Sequence, residues 1–471
     1  MSKASSDTAS VGKASVGRDG KYWISDWNPE DPKFWAERGK PIARRNLIWS
    51  ILAENVGFSV WLVWSVVATR LPKAGFPYTT EQLFQLVAVP GLVGALARIP
   101  YTLAVPKFGG RNWTIVSALL LSIPTLSMIV LVRDPSTPFW LMLLSAASAG
   151  LGGGNFASSM ANISFFFPDR EKGFALGLNA AGGNIGVSTV QLLVPIVVGY
   201  ALLPGGTSKI HLENAGLMWL PLILLAVLGA TFFMNNLTTA RSNVKDQVVV
   251  TQERHTWIIA WLYIGTFGSF VGYSAAFPLL LKTQFPEVTT NLAFLGALVG
   301  SVARPLGGKI ADRLGGARVT FWNFVGMAVA SLGLLWSLET HNLSAFLVVF
   351  LMLFMTTGIG NGSTFRMIPV IFRTLHLRRA RGRGEEAEAA AFVAARRETA
   401  AVIGIASATG ALGGYFIPRA FGASIQATGG ASGAVRYFLA FYVTCVGLTW
   451  WCYLRSSFLV RRVPSLAEAG A

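Results

Sequence analysis

Long apolar stretches constrain this chain more than any other feature of its sequence. Runs such as Leu141 to Phe167 and Phe438 to Tyr453 match the length of about 20 residues that a helix needs to cross a bilayer. A bilayer offers no water to the backbone, so such segments must be helical. Charged residues make up only 13% of the chain, against roughly 25% in soluble domains. The sequence therefore predicts an all-α membrane protein.

We predict twelve transmembrane helices in two halves of six. The first half contains helices near residues 45–70, 80–105, 111–132, 138–166, 172–200 and 215–236. The second half contains helices near residues 256–281, 289–310, 316–338, 343–372, 399–424 and 432–458. The polar segment 237–255 is interpreted as the linker between halves, and residues 1–44 and 459–471 as terminal tails. A second polar stretch, 373–398, is compatible with a mobile loop or a short surface helix.

The distribution of basic residues predicts the orientation in the membrane. Most Lys and Arg residues fall in the tails, the linker and the loops on the same side. The opposite loops contain only Arg70, Lys73, Arg133, Lys209 and Lys282. Basic residues favour the cytoplasmic side, so both termini are predicted to be cytoplasmic. Contact with anionic lipid explains the net charge of +17 without nucleic acid.

Cysteine and histidine indicate neither a metal site nor a catalytic site. Cys445 and Cys452 lie seven residues apart on one apolar segment, too far along a helix to form a disulfide. We predict that both are packing residues. The four histidines show no metal-ligand spacing, and no Ser/His/Asp grouping falls at membrane depth. We therefore expect no metal, no cofactor and no enzymatic activity.

The two halves repeat motifs at a constant offset. Arg98 and Arg304 are 206 residues apart, and so are Asn155 and Asn361. A parallel six-helix repeat of this kind is the organisation of the major facilitator superfamily, with the substrate at the midplane between halves. Residues 308–318 resemble the cytoplasmic loop motif of that superfamily. The repeat therefore predicts the major facilitator fold.

Three arginines lie inside predicted apolar helices: Arg98, Arg304 and Arg366. Charge at the bilayer centre costs at least about 2.5 kcal/mol per Arg and is usually functional. Only one carboxylate, Glu54, lies at comparable depth, so the cavity is predicted to bind an anion. Guanidinium groups donate paired hydrogen bonds to planar oxyanions such as nitrate, nitrite or carboxylate. We predict that Arg98 and Arg304 face each other across the pore and that Arg366 pairs with Glu54.

Glycine-rich stretches in helices five and eleven resemble the two signatures of the nitrate/nitrite porter family. These stretches are residues 173–186 and 404–414, and small residues at such spacings allow close helix packing. Residues 153–168 also resemble that family, and the likeness extends from residue 45 to residue 458. It implies that two arginines clamp the anion. Further substrate-binding residues implied by the resemblance are Phe156, Asn179, Asn184, Gly177, Tyr263, Phe267, Gly404 and Ser407.

The resemblance implies a monomeric nitrate/nitrite transporter in the bacterial inner membrane. We predict exchange of nitrate for nitrite, with Glu54 and Arg366 balancing the charge of the site. Proton-coupled nitrate uptake through Glu54 stays open, because both residues and the 373–398 segment depart from the family pattern. An anion channel is disfavoured by the two-half repeat, and a solute-sensing receptor by the short tails.

Overall fold

The computed structural model of the protein describes residues 22–203, 210–240 and 249–455, apart from the side chains of residues 396 and 397. Much of the predicted N-terminal tail and part of the predicted linker lie outside the described residues. The predicted C-terminal tail, 459–471, and Lys209 lie wholly outside them.

Helices occupy each of the twelve stretches predicted from the sequence. The first half consists of α1 (Pro32–Val67), α2 (Thr80–Phe108), α3 (Gly110–Leu131), α4 (Phe139–Ala149 continued by Leu151–Phe166), α5 (Asp169–Val197) and α6 (Asn214–Phe233). The second half consists of α7 (Arg254–Gln284), α8 (Phe294–Leu314), α9 (Gly316–Glu339), α10 (Leu343–Ala380), α11 (Glu385–Thr428) and α12 (Ser432–Leu454). Short turns and π-helical segments interrupt several of them. Within the described residues, ten helices are long and apolar enough to cross a membrane; α4 and α8 are not among these.

The sequence repeat corresponds to a repeated turn. α2 and α8 both end at a glycine with positive φ, 87° at Gly109 and 88° at Gly315. Residues with a side chain rarely adopt this conformation, whereas glycine does so readily. In each half a second glycine, Gly110 or Gly316, begins the next helix. The same backbone geometry thus joins equivalent helices in both halves.

Helix packing follows the same repeat. In the first half α1 packs on α5, α2 on α4 and α3 on α6; in the second half α7 packs on α11, α8 on α10 and α9 on α12. The halves meet chiefly where α2 contacts α11 and where α5 contacts α8. Glu81 and Arg419 form an ion pair of 3.6 Å across this interface. Gln191 Nε2 donates to the carbonyl oxygen of Ser274 at 2.7 Å.

The first helix begins earlier than predicted. It starts at Pro32, whereas the sequence suggested a polar tail as far as residue 44. The preceding strand β1 (Trp23–Ile24) pairs in parallel with β2 (Asn236–Leu237) after α6. Trp27 Nε1 donates to the carbonyl oxygen of Phe165 at 3.1 Å. Hydrophobicity does not predict the structure of this segment, because the segment is polar. Its tryptophans pack against the ends of helices and not against lipid.

The segment 373–398 is helical rather than a loop. α10 continues to Ala380 and α11 begins at Glu385. His376 Nε2 lies 2.8 Å from Glu398 Oε2, which connects the two extensions. The segment is rich in Ala, Glu and Arg, which are strong helix formers. Hydrophobicity falls where the apolar stretches of α10 and α11 end, but both helices continue beyond that point.

Candidate functional site

Arg98 lies on α2 between aromatic rings from both halves. Its side chain is fully buried. Its guanidinium carbon is 4.7 Å from the ring centroid of Phe156 on α4 and 4.8 Å from that of Phe267 on α7. The two rings stack with centroids 5.6 Å apart. A guanidinium at these distances is attracted to both ring faces, so Arg98 is held where the halves meet.

Hydrogen bonds set the orientation of Arg98. Its Nε donates to the carbonyl oxygen of Gly153 at 3.1 Å. Its Nη1 donates to the carbonyl oxygen of Ser407 at 3.1 Å and to the Ser407 hydroxyl at 3.2 Å. Its Nη2 has no hydrogen-bond partner among the described residues. A Cβ at residue 153 would lie 2.6 Å from the Trp61 ring, so glycine is needed for this close approach of α4.

Arg304 approaches the same aromatic ring from the second half. It is buried on α8, and its guanidinium carbon is 5.4 Å from the Phe156 centroid. Its Nη2 donates to the hydroxyl of Tyr263 at 3.5 Å, while its Nη1 has no partner in the described part of the chain. Tyr263 and Phe267 stack on α7 with centroids 5.4 Å apart. Two guanidinium groups, each with an unpaired nitrogen, therefore converge on Phe156.

Three buried asparagines offer further unpaired polar groups. Neither side-chain polar atom of Asn184, Asn155 or Asn361 has a hydrogen-bond partner within the described residues. Unpaired buried amides are costly, so a bound ligand or water that pairs with them is favoured. Asn184 was predicted as a site residue. Asn155 and Asn361 were not, although the repeat offset that relates them was visible in the sequence.

Asn179 binds Glu54, which differs from its predicted role as a substrate ligand. Its Nδ2 donates to Glu54 Oε2 at 2.7 Å, and the Ser159 hydroxyl donates to the same oxygen. Glu54 is 1% exposed, and its Oε1 has no hydrogen-bond partner among the described residues. Arg98 and Arg304 are close enough to interact electrostatically with this carboxyl group. Asn179 therefore positions a charged residue near the site.

The predicted pairing of Arg366 with Glu54 is wrong. Arg366 forms an ion pair with Asp312, and the two side chains are 47% and 53% exposed. Asp312 lies near the end of α8, which ends at Leu314. α10 extends well beyond its apolar part, so Arg366 reaches the end of the bundle instead of its centre. The buried centre contains two arginines and one glutamate.

Gly177 and Gly404 do not lie at close helix contacts, contrary to the prediction. A Cβ at Gly177 would meet nothing within 4 Å, and one at Gly404 only the side chain of Thr102, at 3.6 Å. In contrast, a Cβ at Gly91 on α2 would overlap the backbone of Gly414 on α11. The halves therefore touch most closely at the end that includes Gly91 and Gly414, and their contact at Gly404, toward the end that carries the N-terminal segment, is looser.

Trp61 and Phe365 contact the arginines without having been predicted to do so. The guanidinium carbon of Arg98 is 5.5 Å from the Trp61 ring centroid, and that of Arg304 is 5.9 Å from the Phe365 centroid. Trp61 precedes Phe267 by the same 206 residues that separate the two arginines. The repeat therefore indicates Trp61 as the equivalent of Phe267, which the pattern of apolar residues alone does not.

Comparison with known proteins identifies the family. The sequence profile of the Major Facilitator Superfamily matches residues 35–384. The chain is 45% identical over 454 residues to "Nitrate/nitrite transporter NarU" of Escherichia coli (strain K12), which covers 94% of this chain and 98% of that protein. It is 38% identical over 456 residues to "Probable nitrate/nitrite antiporter NarK2" of Thermus thermophilus, covering 92% of this chain and 97% of the other.

Solved structures show the same fold at low sequence identity. A crystal structure of a bacterial homolog to the human lysosomal transporter Spinster, in an inward-facing and occupied conformation, superposes with a TM-score of 0.62 at 13% identity. It covers 87% of this chain and 97% of the other. Together with the close relatives in sequence, these findings confirm the predicted family. The chain belongs to the nitrate/nitrite porter family of the major facilitator superfamily and is a multi-pass transporter of the bacterial inner membrane.

Proposed function

We propose that this protein exchanges nitrate for nitrite by alternating access. The observation that carries the proposal is the convergence of Arg98 and Arg304, one from each half, on the ring of Phe156. Each arginine has one guanidinium nitrogen without a partner among the described residues. A small planar oxyanion has enough acceptor oxygens to bind both nitrogens at once. The names of the relatives support nitrate and nitrite as these anions.

The same geometry explains why exchange is favoured over net transport. Two buried guanidinium groups repel each other, and a buried nitrogen without a hydrogen-bond partner is costly. An anion between them removes both penalties and draws the halves together. A ligand shifts a conformational equilibrium only through such a difference in interaction energy. The filled carrier therefore reorients readily, whereas the empty carrier does not.

The membrane topology that we propose has twelve transmembrane helices, cytoplasmic termini and a single subunit. Helices in all twelve predicted stretches support the number of spans, and the asymmetry of basic residues supports the cytoplasmic termini. In this topology the end that carries the N-terminal segment, where the contact between the halves is looser, faces the cytoplasm. The close contact between Gly91 and Gly414 then lies on the periplasmic side of the site.

Counterflow in proteoliposomes tests the proposed exchange. Vesicles loaded with nitrite should take up labelled nitrate, whereas vesicles without internal nitrite or nitrate should take up little. A pH gradient alone should drive no uptake. Nitrate uptake that requires a pH gradient and ignores internal nitrite would contradict the proposal.

Proton-coupled uptake through Glu54 is the second candidate, because this buried carboxyl group has one oxygen without a hydrogen-bond partner in the described residues. We expect Glu54→Gln to retain nitrate/nitrite counterflow, with tighter anion binding and slower release, because it removes a negative charge near the site. Counterflow and pH-driven uptake should be measured on the same preparation. If wild type shows pH-driven uptake and Glu54→Gln loses it, proton coupling is correct and exchange is not.

Gly177→Leu and Gly404→Leu should each reduce counterflow at least about tenfold while leaving membrane insertion intact. A Cβ at Gly177 has open space, and one at Gly404 makes only an ordinary contact with Thr102. The new side chains should therefore be tolerated in this conformation and obstruct the approach of the two halves at the cytoplasmic end. Gly447→Leu is the matched control, since Gly447 is exposed on α12 and also has nothing within 4 Å. Normal counterflow by the first two variants would disprove the proposed closure.

A further inference from the structure

We infer that Glu54 makes the anion site selective for singly charged over doubly charged anions. The inference rests on the proposed function, since it concerns the same arginine pair. It follows from the small number of buried charges, from the way Glu54 is held and from its lack of direct contact with the arginines.

The centre of the protein contains few charges. Among the described residues, five charged side chains are buried, and two of them lie away from the site. Glu213 is next to His211, with 3.3 Å between its Oε1 and Nδ1 of the histidine. Arg455 follows the last helix and lies over the ring of Trp451. The remaining three are Glu54, Arg98 and Arg304.

Glu54 is held in a fixed position by the helices around it. Asn179 and Ser159 both donate to its Oε2. A Cβ at Gly183 would overlap the carboxyl group, so the absence of a side chain there creates the space that it occupies. Glu54 and Asn155 line the same small pocket, and Asn155 directly precedes Phe156 in the sequence. The carboxylate therefore lies against the part of α4 that also carries Phe156, the ring that both arginines contact.

Glu54 offsets the arginine charge without using the arginine donors. No arginine or lysine nitrogen in the described residues lies within 4.0 Å of its oxygens, yet both arginines interact with it electrostatically. A direct ion pair would occupy the guanidinium nitrogens that the anion needs. A carboxylate at a greater distance leaves them free, because Coulomb interaction extends beyond hydrogen-bond range in a medium of low dielectric.

The formal charges then favour one class of anion. With Glu54 ionised, two arginines and one glutamate leave the empty centre with one net positive charge. A singly charged anion brings the centre to neutrality, whereas a doubly charged anion leaves an uncompensated negative charge in a buried site, which is costly. Without Glu54 the centre would carry two positive charges and would match a doubly charged anion. Charge, in addition to shape, thus selects nitrate and nitrite.

Chlorate and sulfite test this inference, because they are isoelectronic pyramidal anions that differ in charge. Their inhibition of nitrate/nitrite counterflow should be compared at an alkaline pH at which sulfite is doubly charged. Wild type should be inhibited by chlorate at a much lower concentration than by sulfite. In Glu54→Gln the ratio of the two inhibition constants should shift toward sulfite by about tenfold, the effect of one charge at roughly 10 Å with an effective dielectric constant of about 20.

Glu213→Gln is the matched control, since it makes the same chemical change at a buried glutamate that lies away from the site. It should retain the wild-type ratio of inhibition constants. An equal ratio in wild type and Glu54→Gln, or the same shift in Glu213→Gln, would overturn the inference. Equal inhibition constants of chlorate and sulfite in wild type would overturn the inference, whatever the variants show. Absence of nitrate/nitrite counterflow in wild type would instead contradict the proposed function.

Discussion

Arg98→Lys and Arg304→Lys should each nearly abolish nitrate/nitrite counterflow, although both substitutions keep the positive charge. An ammonium group is a point donor and cannot reproduce the planar fork of a guanidinium. Lysine at 98 would also lose the bonds to Gly153 and Ser407 that fix the orientation of the arginine. Each lost charge-assisted hydrogen bond is worth about 1.5–3 kcal/mol, so nitrate binding should weaken roughly tenfold to a hundredfold.

Arg366→Lys is the control for both variants. It makes the same chemical change at a half-exposed arginine whose partner, Asp312, lies away from the anion site. We expect its nitrate affinity to stay within about twofold of wild type, since exposed ion pairs contribute little. Binding can be measured by calorimetry and transport by counterflow. Near-normal counterflow in Arg98→Lys or Arg304→Lys would disprove the assignment of these residues to the anion.

Gly91→Leu should reduce counterflow at least about tenfold by separating the two halves. A Cβ at this position would overlap the backbone of Gly414, and backbone cannot move aside as a flexible side chain can. Glu81 and Arg419, which form an ion pair between the halves, can be replaced by cysteines to report the separation. Cross-linking of that pair should fall in Gly91→Leu. In Gly177→Leu it should persist, because the added bulk obstructs the opposite end.

Cross-linking also separates a defect in movement from a defect in folding. A misfolded Gly91→Leu protein would lose nitrate binding together with cross-linking, whereas a separated but folded protein would still bind nitrate. Gly447→Leu should leave cross-linking and counterflow at wild-type levels. Efficient cross-linking in a folded Gly91→Leu protein would contradict the proposed role of this contact.

The helices, their repeat and the candidate buried arginines can all be predicted from the order of residues along the chain. Hydrophobicity is a local property, and a backbone in lipid must pair its own polar groups, so long apolar runs are sufficient to locate helices. The offset that relates Arg98 to Arg304 also relates the turns at Gly109 and Gly315, because equivalent helices in the two halves need the same geometry. The scarcity of buried carboxylates indicated an anion before any contact was known.

Which polar side chains meet became clear only from the packing of the helices. Arg366 and Glu54 appeared equally deep in sequence, but α10 extends past its apolar part and takes Arg366 to Asp312 instead. Asn179 is directed to Glu54 by the packing of α5 on α1. The contacts of Gly177 depend on how far apart the halves are at one end. Such pairings depend on the relative placement of distant helices, which hydrophobicity along the chain does not encode.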